Sequence, residues 1–149
     1  MAKSSFLDSS KPLFSKPISM SMSMDKEESN PLAKEFLGYL LSVPNKAKLA
    51  HLRVKGIGAY AAHVALGEFY DSFADLTDEL IEVYQGMYGV QELAIPGTSF
   101  MEPVDALKGC REYIQSMRYK ACEASHLQNI VDELVAVTDR TIYKLENLK

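Results

Sequence analysis

Tryptophan is absent from this 149-residue chain, histidine occurs three times and cysteine twice. No apolar run approaches the roughly 18 residues that a transmembrane helix needs, so we expect no membrane span. The N-terminus lacks the continuous apolar segment of a secretory signal. Cys110 and Cys122 have a spacing that fits no zinc or redox motif, and we expect two buried, reduced thiols. These features together favour a cytoplasmic protein.

Charge is nearly balanced, with 16 basic and 20 acidic residues and a formal net charge of −4. Apolar residues make up 47% of the chain, which is typical of one soluble globular domain. The negative charge argues against a dedicated nucleic-acid or membrane-surface binder. Three lysines and one aspartate give residues 1–24 a side-chain charge of +2, less than a Dps-type DNA-binding arm usually has, so DNA binding by this segment stays an open alternative without support.

The composition changes near residue 30. Residues 1–30 contain nine serines and the alternation SMSMSM at positions 19–24. Such a segment buries too little apolar surface to offset its ordering entropy, so we expect a flexible arm that becomes ordered only against a neighbouring protein. The chain therefore divides into an arm, residues 1–30, and a folded domain, residues 31–149.

Helical periodicity begins directly after this boundary. Ser29 or Asn30 caps a first helix that starts with Pro31, a residue tolerated in a first turn. Pro44 is expected to kink or split this helix, because it lacks the N–H that an interior position donates.

Three further helices follow. The second covers about residues 59–85, and its apolar residues step by three or four: Ala62, Leu66, Phe69, Phe73, Leu76, Leu80 and Tyr84. The third runs from about 103 to 120, and Ser125 with Gln128 is typical of a capping box that opens the fourth. Residues 86–101 form a long link, which lets helices two and three run parallel. The prediction is an all-α, ferritin-like four-helix bundle with a long crossover between helices two and three.

Four candidate metal ligands lie on the first two helices. His51 and His63 are twelve residues apart, and Asp78 and Glu82 follow one helical turn from each other. Along helix two, His63 and Asp78 are separated by ~22 Å, too far for a site within one chain. If helix two packs antiparallel on its copy with a crossing near residues 70–72, the four residues form two identical shared sites. Mixed imidazole and carboxylate ligands suit iron(II) or zinc.

This segment resembles the Dps family of ferritin-like mini-cages. The shared pattern is a histidine late in helix one (His51), a following glycine (Gly56), a second histidine twelve residues on (His63) and an Asp-Glu-x-x-Glu run, here DELIE at 78–82. The resemblance implies that His51 and His63 of one subunit and Asp78 and Glu82 of its partner bind iron. It also implies a homo-oligomer joined through helix two and ferroxidase activity, in which peroxide or dioxygen oxidises iron(II).

Three positions depart from the family pattern. Leu52 replaces the usual tryptophan, Gly67 replaces a carboxylate, and Val83 replaces an arginine. The absence of a carboxylate at Gly67 puts a second, bridged metal in doubt. Asp71, one turn further on, is the nearest substitute.

Two other interpretations stand beside this one. The phrase HVALGEFYDSFADLTDELIEVYQGMYG also resembles ferritin-like proteins of tailed phages, which implies a structural virion protein whose arm clasps a neighbour. Alternatively, the histidines are helix-end residues and the acids form a solvated face. Glu123 and His126 have di-iron E-x-x-H spacing, but Glu123 precedes the predicted fourth helix, so we interpret this match as chance.

Overall fold

The computed structural model describes residues 30–99 and 102–149, which form α1 (Pro31–His51), α2 (Ala59–Tyr88), α3 (Pro103–Ala121) and α4 (Ser125–Asn147). These residues contain no strand, so the all-α prediction is confirmed. Apart from Asn30, the predicted arm lies outside the described residues. No helix within the described ranges is both long and apolar enough to cross a membrane.

The start of α1 follows the sequence prediction. The Asn30 side chain accepts a hydrogen bond from the Leu32 backbone N–H at 3.0 Å, which satisfies one of the free donors of the first turn. Pro31 occupies the first helical position. The expectation that Pro44 splits this helix is wrong, because α1 continues through it to His51. The packing of α1 against α2 and α3 outweighs one lost backbone hydrogen bond.

Each helix packs antiparallel against two neighbours. Contacts between the end of one helix and the start of the next establish the direction: His51 with His63, Glu68 with Lys144, Lys108 with Glu146, and Glu35 with Tyr113. The contacting pairs are α1–α2, α2–α4, α3–α4 and α1–α3. Helices α2 and α3 are therefore diagonal and parallel, and the predicted long crossover is confirmed; it was predicted at residues 86–101, whereas α2 continues to Tyr88 and α3 begins at Pro103.

The core lies between the four inward faces. The predicted stripe of α2 supplies several of its fully buried side chains, among them Leu66, Phe69, Phe73 and Leu80. Burying each such side chain contributes about 1.5–3 kcal/mol relative to leaving it exposed. The other three helices contribute buried apolar side chains to the same core, so apolar packing between all four helices holds the bundle together.

The crossover passes directly over α1. Gly38 is buried, and a β-carbon at that position would overlap the backbone carbonyl oxygen of Ala94. Leu93, the neighbouring residue, packs against the core. Close approach of this loop therefore requires glycine at residue 38.

The predicted capping box of α4 is wrong. Ala124 occupies the N-cap position without a side-chain hydrogen bond, and Ser125 is already helical. Gln128 turns inward, where its amide N–H donates to the backbone carbonyl of Arg118 at 3.0 Å and to that of Cys122. Gln128 therefore hydrogen-bonds buried backbone carbonyls instead of capping the start of α4.

Candidate metal centre

The turn between α1 and α2 brings the two predicted histidine ligands together. His51 is the last residue of α1, and His63 lies one turn inside α2. Gly56 and Gly58 have φ values of +89° and +79°, a left-handed conformation that glycine adopts without strain. This short reversal places α2 beside α1, so that the two rings meet at the same end of the bundle.

The rings of His51 and His63 stack face to face. Their centroids are 3.6 Å apart and their planes differ by 25°. Nδ1 of His51 lies 2.8 Å from the backbone carbonyl oxygen of His63, and Nδ1 of His63 lies 3.2 Å from that of His51. The two residues therefore hold each other through reciprocal hydrogen bonds between side chain and backbone.

These hydrogen bonds define the tautomer of both imidazoles. A backbone carbonyl only accepts hydrogen bonds, so each Nδ1 must carry the proton and donate it. The neutral ring then has its free lone pair on Nε2. Histidines that bind metals usually have one nitrogen tied in this way, which fixes the ring and leaves the other nitrogen as ligand. Each ring is thus fixed through Nδ1 and keeps Nε2 as its unused nitrogen.

The environment of His51 leaves little room for other orientations. Tyr70 meets its ring edge-on, with centroids 5.4 Å apart and an interplanar angle of 88°. On another side lies Gly67, where a β-carbon would be 3.4 Å from Cε1 of His51. The position at which the Dps pattern has a carboxylate is therefore adjacent to the imidazole, although the carboxylate itself is missing. Glu68 pairs with Lys144 of α4 and is not a replacement.

Asp78 and Glu82 are not brought to the histidines. Both are exposed on the distal half of α2, and neither forms a hydrogen bond or ion pair with any described residue. The helix rise keeps Asp78 ~22 Å from His63. Across residues 30–99 and 102–149, no three histidine, cysteine or acidic side chains converge to hold a metal ion. Within one chain, the two predicted histidine ligands therefore lie together at the turn between α1 and α2, and the two predicted acidic ligands lie on the distal half of α2.

The remaining candidate ligands are not suited to this role. Burial raises the pKa of the Cys110 thiol to about 12 and that of Cys122 to about 11, so both stay protonated. His126, in α4, lies beside the end of α2 that is far from His63; its Nε2 is 2.9 Å from Sδ of Met87. Glu123 precedes α4, as expected, so it shares no helix face with His126.

Sequence reasoning missed a buried polar cluster between α3 and α4. Arg118 Nε donates to Oε1 of Gln128 at 2.6 Å, and its Nη2 donates to the backbone carbonyl of Gln128 at 3.2 Å and to Asp132. The side chain of Arg118 is only 7% exposed. The sequence indicates this cluster only through the position of Arg118 among the apolar residues of α3, and the partners of Arg118 depend on how α3 and α4 pack.

Fold and site together define an all-α four-helix bundle that carries an oriented histidine pair. The model of a family of unknown function (DUF5856) matches residues 51–145, and the chain belongs to that family. The matched segment begins at His51 and includes His63, Asp78 and Glu82. No curated protein and no solved structure matches the chain.

Proposed function

We propose that this protein is a Dps-like iron-binding protein with ferroxidase activity, whose metal sites are shared between two chains. The observation that carries the proposal is the stacked pair of His51 and His63, in which both Nδ1 atoms are tied to backbone carbonyls. Two fixed imidazoles with free Nε2 atoms are half of a transition-metal site. Asp78 and Glu82 of a second chain provide the other half.

A two-fold axis accounts for the distance between the two halves. If α2 packs antiparallel on its copy and crosses it near residues 70–72, His63 of one chain lies level with Asp78 of the other. The same symmetry operation produces a second, identical site. Zinc would fit the same ligands, but iron is the metal that the Dps resemblance implies.

The exposed face of α2 supports this pairing. Beside His63, the side chains of Tyr60 and Val64 are 82% and 39% exposed, which leaves apolar surface at the proximal half of the helix. The distal half carries Asp78 and Glu82, both exposed. Antiparallel packing places the apolar and imidazole half against the acidic half, whereas parallel packing would place acids against acids.

Acidic side chains near the centre of the proposed crossing oppose dimerisation. Asp71 and Asp75 are exposed near residues 70–72 and form no ion pair with the described part of the chain. Two copies of this surface repel each other when no positive charge lies between them. A metal ion held by the histidines of one chain and by Asp78 and Glu82 of the other links the two copies against that repulsion, so we expect chelators to weaken the dimer.

Iron is the substrate of the proposed reaction. Two iron(II) ions each lose one electron and become iron(III), and one hydrogen peroxide molecule accepts these two electrons and two protons and becomes two waters. The protein fixes the ligands and their geometry, so its contribution is positioning. With glycine at residue 67, each site has four ligands from two chains and lacks the carboxylate that would bridge to a second metal.

Mixed dimers test the shared site directly. One chain carries His51→Ala and His63→Ala, and the other carries Asp78→Ala and Glu82→Ala. A mixed dimer should retain one of its two sites and bind iron(II) at half the wild-type stoichiometry under anaerobic conditions. Each double-mutant homodimer should retain none. Equal iron(II) affinity in these homodimers and the wild type would rule out a site shared between chains.

A further inference from the structure

A cavity of about 330 Å³ lies between the second half of α1 and the first half of α3. It exists because the facing residues are small: Ala47 and Ala50 on α1, Ala106 and Gly109 on α3. Its volume is at the lower end of the range of about 300–1,000 Å³ found for small-molecule sites. The cavity is therefore large enough for one small ligand.

The walls of this cavity are mainly apolar and uncharged. Val43, Leu66 and Leu107 provide aliphatic surface. Cys110 and Tyr39 also line it, and burial raises the pKa of the thiol to about 12 and that of the phenol still further. Both groups are neutral at physiological pH, so the interior favours an alkyl chain over a charged or strongly polar group.

One cation is located at this cavity. Lys46 is half-buried, and its Nζ lies 4.8 Å from the centroid of the Tyr39 ring. It forms no ion pair with any residue of the two described ranges. A half-buried ammonium without a carboxylate partner, beside an apolar cavity, is complementary to a ligand that has an apolar body and one anionic end.

We propose that this cavity binds a single-chain aliphatic carboxylate, with its alkyl chain between α1 and α3 and its carboxylate on Nζ of Lys46. A water molecule takes about 30 Å³ of liquid and a methylene group is of similar size, so the cavity admits roughly ten carbon atoms. A lipid with two acyl chains is too large. The site is separate from the proposed metal centre and does not depend on it.

Calorimetric titration of the full chain with decanoate tests the proposal, with decan-1-ol as a ligand of the same length without the charge. Decanoate should bind in a one-to-one ratio, and tighter than decan-1-ol. Lys46→Met should weaken decanoate by about tenfold and leave decan-1-ol unchanged, because it removes only the charged hydrogen bond.

A second variant blocks the cavity itself. A β-carbon at Gly109 meets no atom within 4 Å, so Gly109→Leu adds an aliphatic side chain at the cavity lining from an open position, and leucine favours the helix over glycine. The matched control is Gly86→Leu, at an equally open helical position away from the cavity. Decanoate affinity should fall about tenfold or more in the first variant and stay unchanged in the second.

Three results would overturn the proposal. Equal affinity for decanoate and decan-1-ol in the wild type would remove the role of Lys46. Unchanged decanoate affinity in Gly109→Leu would place the ligand elsewhere. Absence of binding by the folded full chain at 1 mM decanoate would mean that another segment or a second copy fills the cavity.

Discussion

Arg118 with Gln128, near one end of the bundle, and His51 with His63, at the other, are both pairs of polar side chains packed across two helices. In the first pair the contacts are complete: Arg118 binds Gln128 and Asp132, and Gln128 returns hydrogen bonds to backbone carbonyls. In the second pair the Nδ1 atom of each ring is hydrogen-bonded to a backbone carbonyl, and Nε2 is not part of these hydrogen bonds.

This difference separates a structural cluster from a candidate site. In the described parts of the chain, no buried side-chain nitrogen or oxygen lacks a hydrogen-bond partner. The Arg118 cluster is thus closed, and removing one of its members leaves another unsatisfied. The histidine pair is open, since its free nitrogens lie on a half-exposed and an exposed side chain. A closed cluster should matter for stability, and an open one for binding.

The largest effect should come from opening the closed cluster. In Gln128→Leu, Arg118 stays buried but loses the partner of its Nε, and we expect the free energy of unfolding to fall by about 3 kcal/mol. Gln115→Leu is the control, because exposed Gln115 reaches Arg118 only at 3.4 Å; it should change the free energy by less than about 0.5 kcal/mol. Urea denaturation measures both. A loss below 1 kcal/mol for Gln128→Leu would show that Arg118 finds other partners.

The open pair should respond in the opposite way. His63→Ala removes one nitrogen ligand, so zinc or iron(II) affinity of the assembled protein should fall by about 100-fold. Its free energy of unfolding should change by no more than about 1 kcal/mol, because the ring is exposed. The control is His126→Ala. His126 belongs to α4 and contacts Met87 at the end of α2 far from His63, so this variant should leave metal affinity unchanged. Competition with a chelator gives the affinities, and wild-type affinity in His63→Ala would contradict a role for the pair in binding.

A smaller effect should follow from restoring the missing carboxylate. Gly67 lies against the His51 ring, so Gly67→Glu places a third ligand near the two imidazoles of the same chain. We expect zinc affinity to rise about tenfold, and Gly67→Gln, of equal size and without charge, to show no such gain. Zinc affinity should be measured on dilute, monomeric protein, because the three ligands belong to one chain. If both variants bind zinc equally well, the added carboxylate does not share a zinc ion with the imidazoles.

The smallest effect on the bundle should come from deleting residues 1–28. The cap of α1 at Asn30 remains, so the free energy of unfolding should change by less than about 0.5 kcal/mol. Under the proposed function, oligomer mass and iron oxidation also stay the same. A truncated chain that is folded but no longer oxidises iron, while the full chain joins a larger particle, would favour the alternative of a phage-encoded structural protein.

The four helices could be predicted from the sequence because the spacing of apolar residues that marks a helix is visible within a short stretch of chain. Most of the predicted stripe of α2 is buried as expected, and its members Ala62 and Leu76 are half-buried. The errors arose where a distant partner competed with a local signal: Gln128 matched a capping box but binds Arg118, and Pro44 lies within a helix held by its neighbours. Propensity is a weak prior in such places, because tertiary contacts override it.

The candidate site was predictable in part for the same reason. The interval of twelve residues placed His51 and His63 on adjoining helices, and their meeting follows from a short turn. Their stacking and reciprocal hydrogen bonds depend on the route through Gly56 and Gly58, which no spacing rule describes. In the proposed dimer Asp78 and Glu82 belong to a second chain, and the packing of two surfaces cannot be read from one helix pattern.

The contact between Gly38 and the carbonyl of Ala94 has a consequence for how this protein can diverge. The crossover meets α1 at this point through backbone atoms, while the side chains of Gln91 and Leu93 hold the preceding part of the loop. Mutations along the exposed residues 95–99 should accumulate freely, whereas a single methyl group added at residue 38 would displace the whole connection. Gene variants that alter the loop should therefore be tolerated in large numbers, and variants at Gly38 should be eliminated.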